Sequence, residues 1–231
     1  MSTLKGQWID DDCIEVGVDE AGRGSLWGRL YVGAVIISPE DECYSDHGAG
    51  LREIKDSKKL TRRKRGLLAD YIRENAIATA VAWAEPEEID RDNILQADLS
   101  AMHRALDSIC IPFQRILVDG DSWRPYTDTQ GSPVQAITIV EGDAVSLPIA
   151  AASILAKEAH DEWLRGEVER RPELHERYGL GSNMGYGTAA HLTGLKTWGA
   201  DSGHRRSFAP VRAVVQGPQA TAPKKRPLFR S

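Results

Sequence analysis

The sequence predicts an α/β protein built on a mixed sheet flanked by helices. Three observations predict it: two β-branched apolar runs near the start, a regular alternation of helical and strand patterns after them, and acidic residues at the ends of the strand-like runs. A chain of 231 residues is long enough for one domain with a small appendage.

Taken in order, "CIEVGVD" and "LYVGAVIIS" read as strands bounded by glycine or proline, and "AGRGSLWG" joins them as sheet neighbours. From Thr61 to Asn75 the spacing predicts a helix with Thr61 as N-cap and Leu67, Leu68, Tyr71 and Ile72 on its apolar face. "AIATAVAWAE" is a third strand, ended by Pro86. Leu95, Leu99, Met102, Leu106 and Ile109 recur at three and four residues, an amphipathic helix that stops before Pro112. "RILVDG" and "VQAITIV" supply a fourth and a fifth strand, and Ile149, Ala152, Ala156, Ala159 and Trp163 stripe a long helix from Pro148 to about Arg170. Beyond residue 172, short helical pieces alternate with glycine-bearing loops. The expected organisation is a main domain over 1–171, a small helical subdomain over 172–215 and a flexible basic tail over 216–231.

Composition excludes more than it identifies. Cys13, Cys43 and Cys110 are too few and too scattered for a disulfide framework or a zinc site, so a reducing cytoplasm is expected. No signal peptide or membrane span is recognisable. The net charge of −5 argues against a general nucleic-acid coat, and without the four basic groups of the tail the rest carries −9. Yet "KKLTRRKRG" concentrates six basic side chains between Lys58 and Arg65, and "GHRRS" adds Arg205 and Arg206. Each run alone reads as a solvated face; together, on an acidic protein, they suggest a polyanion contact beside an acidic site.

The acids decide the chemistry. Asp19 and Glu20 end the first strand, Asp119 ends the fourth, and Asp143 follows the fifth in "ITIVEGD". Adjacent strands would bring these carboxylates to one edge, where they repel unless cations neutralise them. Hard oxygen ligands select magnesium or manganese. Two such ions about 4 Å apart clamp the attacking and leaving oxygens of a phosphodiester displacement. Asp119 and Asp143, each next to a glycine, also read as plain strand-ending turns, whereas a turn has no use for the Asp19–Glu20 pair.

"VGVDEAGRGSLWG", "DSKKL", "ILVDGD", "EGD", "AAASILAK", "GYGT" and "HRRSFAPV" occur in the order and spacing of bacterial-type ribonuclease HII, and the resemblance runs from about Ile14 to Val214. It implies a ribonuclease H-like fold with a mixed five-stranded sheet and a C-terminal helical subdomain. It also implies hydrolysis of the RNA strand of RNA–DNA hybrids and nicking beside ribonucleotides embedded in DNA, with 5′-phosphate and 3′-hydroxyl products. By motif, the metal-binding and catalytic carboxylates map onto Asp19, Glu20, Asp119 and Asp143, with Mg2+ or Mn2+ as cofactor. The 2′-hydroxyl-reading element maps onto Gly22, Arg23 and Gly24, and the junction-sensing tyrosine onto Tyr186. A 2′-hydroxyl both donates and accepts hydrogen bonds, and glycines allow backbone groups to approach a sugar closely. Arg23 offers a forked guanidinium to the neighbouring phosphate. Read without the resemblance, Tyr186 is a half-buried packing tyrosine between loop glycines.

Lys58 and Lys59 read as phosphate contacts or as a solvated helix entrance. Ser153 and Lys157, four apart on the long helix, share a face that reaches the substrate backbone, and Ser153 equally suits close packing on the sheet. The protein is expected to act as a monomer with no membrane partner. The tail carries Leu228 and Phe229 in "KKRPLFRS", a poor match to sliding-clamp docking motifs against the alternative of a plain basic tail.

Four positions depart from the family pattern: Ser25 follows Gly24 where proline is common, Trp27 replaces smaller residues, Met184 stands where a lysine is frequent, and Gly187 follows Tyr186 in place of proline. Rival motifs fail: "VDE" resembles a Walker B strand without any GxxxxGK[ST] loop, and GxGxxxG is one residue off the dinucleotide fingerprint. Ser153 and Lys157 miss the SxxK spacing by one. The remaining alternative of another class is a non-catalytic reader of RNA–DNA junctions.

Overall fold

The computed structural model describes residues 4–38 and 60–217. Strands β1 (Glu15–Ala21), β2 (Leu30–Ile36) and β3 (Ala78–Ala84) form an antiparallel meander, and β4 (Arg115–Asp119) pairs parallel with the other side of β1. The sheet is completed by β5 (Tyr126–Thr127) and β6 (Pro133–Ile139) in the order β3-β2-β1-β4-β6-β5, with β6 parallel to β4 and β5 antiparallel to β6. Six strands thus stand where the sequence predicts five. The additional one is two residues long, too short to carry a period of its own.

Helices α1 (Arg62–Asn75), α2 (Pro86–Asp92), α3 (Ile94–Asp107) and α4 (Leu147–Arg170) surround the sheet. The apolar residues of β2 explain the layering, because alternate side chains serve opposite faces. Val32, Ala34 and Ile36 join Leu99, Met102 and Leu106 of α3, while Val35 packs with Leu68 and Ile72 of α1 and Ala150 to Ala152 of α4. The Thr61 hydroxyl accepts from Lys64 N–H at 3.4 Å, as an N-cap should. Helix α2 is not foreseen by the sequence pattern: Pro86, read there as a strand stop, is also the first residue of this helix.

One predicted face is corrected. Leu67 is 64% exposed, and the buried positions of α1 are Arg65, Leu68, Ala69 and Ile72. The helix is rotated to turn Arg65 inward, where its guanidinium meets Glu158 at 2.9 Å and Asp161 at 2.8 Å on α4. Four short helices follow: α5 (Glu173–Tyr178), α6 (Leu180–Asn183), α7 (Ala189–Trp198) and α8 (Ala209–Val215). Lys58, Lys59, Cys43 and the tail from residue 218 lie outside the described residues. Among the described residues, no helix is long and apolar enough to cross a membrane.

Two features of the sheet position everything else. The β1–β4 register runs from Glu15 opposite Arg115 to Val18 opposite Val118, so Asp19 and Asp119 are the next step on neighbouring strands. Helix α4 lies directly on the sheet through glycines. A Cβ at Gly17 would stand 2.2 Å from the Pro148 carbonyl carbon, and one at Gly33 would stand 2.3 Å from the Ala152 carbonyl oxygen. Backbone cannot yield as a side-chain tip does. Gly33→Ala is therefore expected to cost about 3 kcal/mol or more in urea denaturation, the upper end of overpacking penalties, and retention of wild-type stability would refute the close approach.

Candidate active site

The site grows from the ends of β1 and β4. Strand β1 runs to Ala21, so Asp19 and Glu20 lie just before its last residue and not at its terminus. Oxygen atoms of Asp19, Glu20 and Asp119 all lie within 4.8 Å of one another. Consecutive strand residues face opposite ways. Asp19 accordingly turns toward α4, where the Ser153 hydroxyl hydrogen-bonds to it, and Glu20 meets Arg23 at 3.4 Å.

Burial raises the Asp19 carboxyl well above its usual range, and the neighbouring Glu20 and Asp119 charges push it further. Burial likewise raises Glu20, partly offset by Arg23 and reinforced by Asp119. Asp119 is steadied by the Gly142 amide, which donates to Oδ1 at 2.7 Å. Three clustered carboxylates with hard oxygen donors and one partly exposed arginine suit a small divalent cation. Asp143 sits buried on the 3-10 turn Gly142–Ala144 after β6, one residue from that amide, and is not among the three clustered acids.

A cavity of about 330 Å³ opens over the acids and is walled by Gly22, Arg23, Gly24, Ser153, Lys157 and Tyr186, with Arg65 at its margin. Most of the predicted site residues thus meet in one place. Gly22 has φ +81° and its Cα abuts the His160 ring, where a Cβ would stand 2.5 Å from Cδ2. A Cβ at Gly24 would reach the Tyr186 ring at 3.7 Å, ordinary contact. Lys157 is held to Asp161 at 2.7 Å with its ammonium 5.5 Å from the Tyr186 ring centroid. Ser153 faces Asp19 inside the wall.

The basic runs are read differently in three dimensions. Arg65 is committed to Glu158 and Asp161. Arg205, expected at a polyanion contact, is fully buried. Its guanidinium donates to the carbonyls of Gly28 (2.9 Å), Gly22 (2.8 Å) and Arg23 (3.1 Å), and burial lowers it to about 9. Its loss of solvent is compensated by fixing the Gly22–Gly24 loop from behind. Arg206 is exposed.

The departures also find places. Ser25 is fully buried, forms a β-bridge with Tyr186, and its hydroxyl donates to the Met184 carbonyl at 3.4 Å. Trp27 stacks on Trp163 at 5.6 Å, donates its indole N–H to Asp201 at 3.1 Å and bridges His204. Met184 adopts φ 48° in the turn that presents Tyr186. Gly187 lies where a Cβ would come within 3.1 Å of Leu26.

Sequence reasoning misses Asp98, His160 and the buried role of Arg205. Asp98 had a signal: it falls between Leu95 and Leu99 on the apolar face of α3, where a carboxylate is out of place. It is 2% exposed, lies 3.7 Å from Arg23, is raised well above its usual range by burial and then by Glu20, and one of its oxygens has no hydrogen-bond partner among the described residues.

The chain matches the family model described as Ribonuclease HII over residues 16–211. It is 45% identical over 206 residues to "Ribonuclease HII" of Laribacter hongkongensis, covering 88% of this chain and 96% of that one. Its structure is similar to that of ribonuclease H2 from Pyrococcus horikoshii, with TM-score 0.67 and 28% identity over 87% of this chain and 97% of that one. It is also similar to ribonuclease HII from Archaeoglobus fulgidus, solved as a PCNA:RNase HII complex, with TM-score 0.60 and 28% identity over 83% of this chain and 92% of that one.

Two measurements probe the site's electrostatics. Because burial and then the neighbouring acids raise the Asp19 carboxyl, Asp19→Asn should raise the melting temperature of metal-free protein while abolishing the stabilisation that Mn2+ gives the wild type; a lower melting temperature with the Mn2+ effect intact would contradict the cluster. Burial and the neighbouring His191 lower His204 from 6.5 to about 4. Unfolded chains therefore take up that proton first, so its contribution is complete above pH 6.5 and is lost as pH falls toward 4. The loss amounts to about 3 kcal/mol, measurable as the part of the acid destabilisation that a His204→Gln variant no longer shows.

Proposed function

The chain belongs to the ribonuclease HII family, and on that footing we propose that it nicks the 5′ side of ribonucleotides embedded in duplex DNA and cleaves the RNA strand of longer hybrids, leaving 5′-phosphate and 3′-hydroxyl ends. Family membership makes it a hydrolase, an endonuclease of the ribonuclease H class, acting on RNA–DNA hybrids with divalent metal ions. The observation that carries the finer reading is the meeting of Asp19, Glu20 and Asp119 with Gly22–Gly24 and Tyr186 in one cavity.

Asp19, Glu20 and Asp119 would hold the metal ions, with Asp143 on the adjoining turn as the fourth proposed ligand. Bound Mg2+ or Mn2+ supplies Lewis-acid stabilisation of charge on the scissile phosphate and activation of the attacking water, through a pair of ions. The protein's own groups do the rest. Ser153 fixes the orientation of Asp19, and the Gly142 amide fixes that of Asp119. The backbone of Gly22–Gly24, backed by Arg205, meets the 2′-hydroxyl, an approach that side chains in place of the glycines would obstruct. Arg23, 47% exposed at its side chain, contacts the adjacent phosphate, and Lys157 presents its charge to the backbone beyond. Tyr186 presses on the sugar that follows the ribonucleotide. Lys58 and Lys59 would add phosphate contacts at the entrance to α1. The cavity is complete within one chain, which suits a monomer.

The alternative of a non-catalytic junction reader is not favoured, since it leaves the costly acid cluster without a use. The sliding-clamp contact in the Archaeoglobus complex is a precedent for the Leu228–Phe229 tail, and deletion of the last eight residues tests it by clamp binding.

The decisive experiment is cleavage of a DNA duplex holding one ribonucleotide, with Mg2+ or Mn2+. Asp119→Asn should lower kcat by roughly 10³-fold, as loss of a principal charge-stabilising group does, with duplex binding kept; normal turnover would remove the acid from the chemistry. Arg23→Ala and Tyr186→Ala should each lower the preference for ribose-containing junctions by about tenfold, one hydrogen bond or contact's worth, and an unchanged preference would end their assignment as readers.

A further inference from the structure

Adjacent residues His204 and Arg205 each reach one of the two proposed reading elements. Arg205 holds the Gly22 and Arg23 carbonyls, as described above. His204 pairs its backbone with Trp27, and its side chain leads to Tyr186. Asp201 N–H donates to His204 Nδ1 at 2.9 Å, so the proton of the neutral His204 ring is on Nε2. That proton points to His191 Nε2 at 3.0 Å, which must accept. The remaining His191 proton is then on Nδ1, which donates to the Tyr186 carbonyl at 3.1 Å.

The order of protons along this chain is fixed by its first member. Both rings are buried, at 0% and 1% exposure for His191 and His204, and burial lowers both below the usual imidazole range, which keeps them neutral. Tyr178 packs edge-on against His204 at 4.8 Å. At the far end, the Tyr186 carbonyl also accepts from Thr188 N–H at 2.8 Å, and Tyr186 N–H donates to the Asn183 carbonyl at 3.0 Å. The backbone of a loop residue that is 37% exposed is thus pinned on both sides.

We infer that His191 and His204 are positioning residues for Tyr186: the imidazole pair sets where its ring stands over the substrate, so that they govern junction discrimination and not the cutting step. Neither histidine touches the cavity that holds the acids. The inference rests on the reading of Tyr186 as the junction sensor.

The experiment compares kcat/KM on a DNA duplex with one ribonucleotide and on a continuous RNA–DNA hybrid, using full-length His191→Asn, His191→Gln, His191→Leu and Tyr186→Ala proteins whose melting temperatures are recorded in parallel. An asparagine amide falls near the position of Nδ1 and a glutamine amide near that of Nε2. His191→Asn therefore keeps the donor to Tyr186 and should hold the single-ribonucleotide preference within about twofold. His191→Gln keeps only the contact with His204 and should lose about tenfold of that preference, one positioning hydrogen bond, with hybrid cleavage little changed. His191→Leu should follow His191→Gln, and if it does not fold the two amide variants decide. Equal preference in the asparagine and glutamine variants, or a parallel loss on both substrates, overturns the inference while a Tyr186→Ala defect leaves the junction sensor standing. A Tyr186→Ala protein with unchanged preference overturns both together.

Discussion

The close approach of α4 to the sheet is the constraint on which the rest of the structure depends. It exists because Gly17 and Gly33 carry no Cβ under Pro148 and Ala152, and because Ala150, Ala151 and Ala152 are small. Brought that near, the helix sets Ser153 against Asp19 and lines Lys157 along the cavity. The same helix offers Glu158 and Asp161 to Arg65, which explains why α1 turns an arginine inward in preference to Leu67. Three separate observations are therefore consequences of one packing distance.

Against this scaffold the acids are held in an unfavourable state. Asp19 is raised by burial and by Glu20 and Asp119, and Glu20 by burial and Asp119, with Asp98 adding a further buried carboxylate 3.7 Å from Arg23. A folded chain tolerates such a cluster only when the surrounding contacts over-determine it. Here they do: the Gly142 amide holds Asp119, the Ser153 hydroxyl holds Asp19, Arg23 meets Glu20, and the β1–β4 register sets Asp19 beside Asp119. A divalent cation held by the three acids would relieve that repulsion and tie stability to the proposed function.

The C-terminal segment after α6 braces the proposed reading elements from behind. Arg205 spends a buried guanidinium on loop carbonyls, Trp27 ties the same loop to Asp201 and Trp163, and the His204–His191 pair reaches the Tyr186 carbonyl. Ser25 belongs to this brace. Its bridge to Tyr186 joins the glycine loop directly to the tyrosine loop.

Local pattern determined much of this protein. The strands around Asp19, Asp119 and Val134, the α3 and α4 stripes and the Thr61 cap are all set by nearest-neighbour sterics and periodicity, and the motif order singled out the candidate carboxylates and the Gly22–Gly24 and Tyr186 elements. Other features depend on residues far apart in the chain, and no local period encodes them. Strand β5 is too short to have one, and Pro86 reads as a stop whether or not a helix follows. The inward turn of Arg65 needs the acids of α4, and the burial of Arg205 needs carbonyls more than 180 residues away. Asp98 was visible as an acid on an apolar stripe, but only the approach of Arg23 gives it meaning. The sequence by itself determined which groups are the candidates for the chemistry, because side-chain type and spacing are local. Tertiary structure alone decided which charges are spent on holding the site and which are left for substrate, because burial and partner choice exist only once distant segments meet.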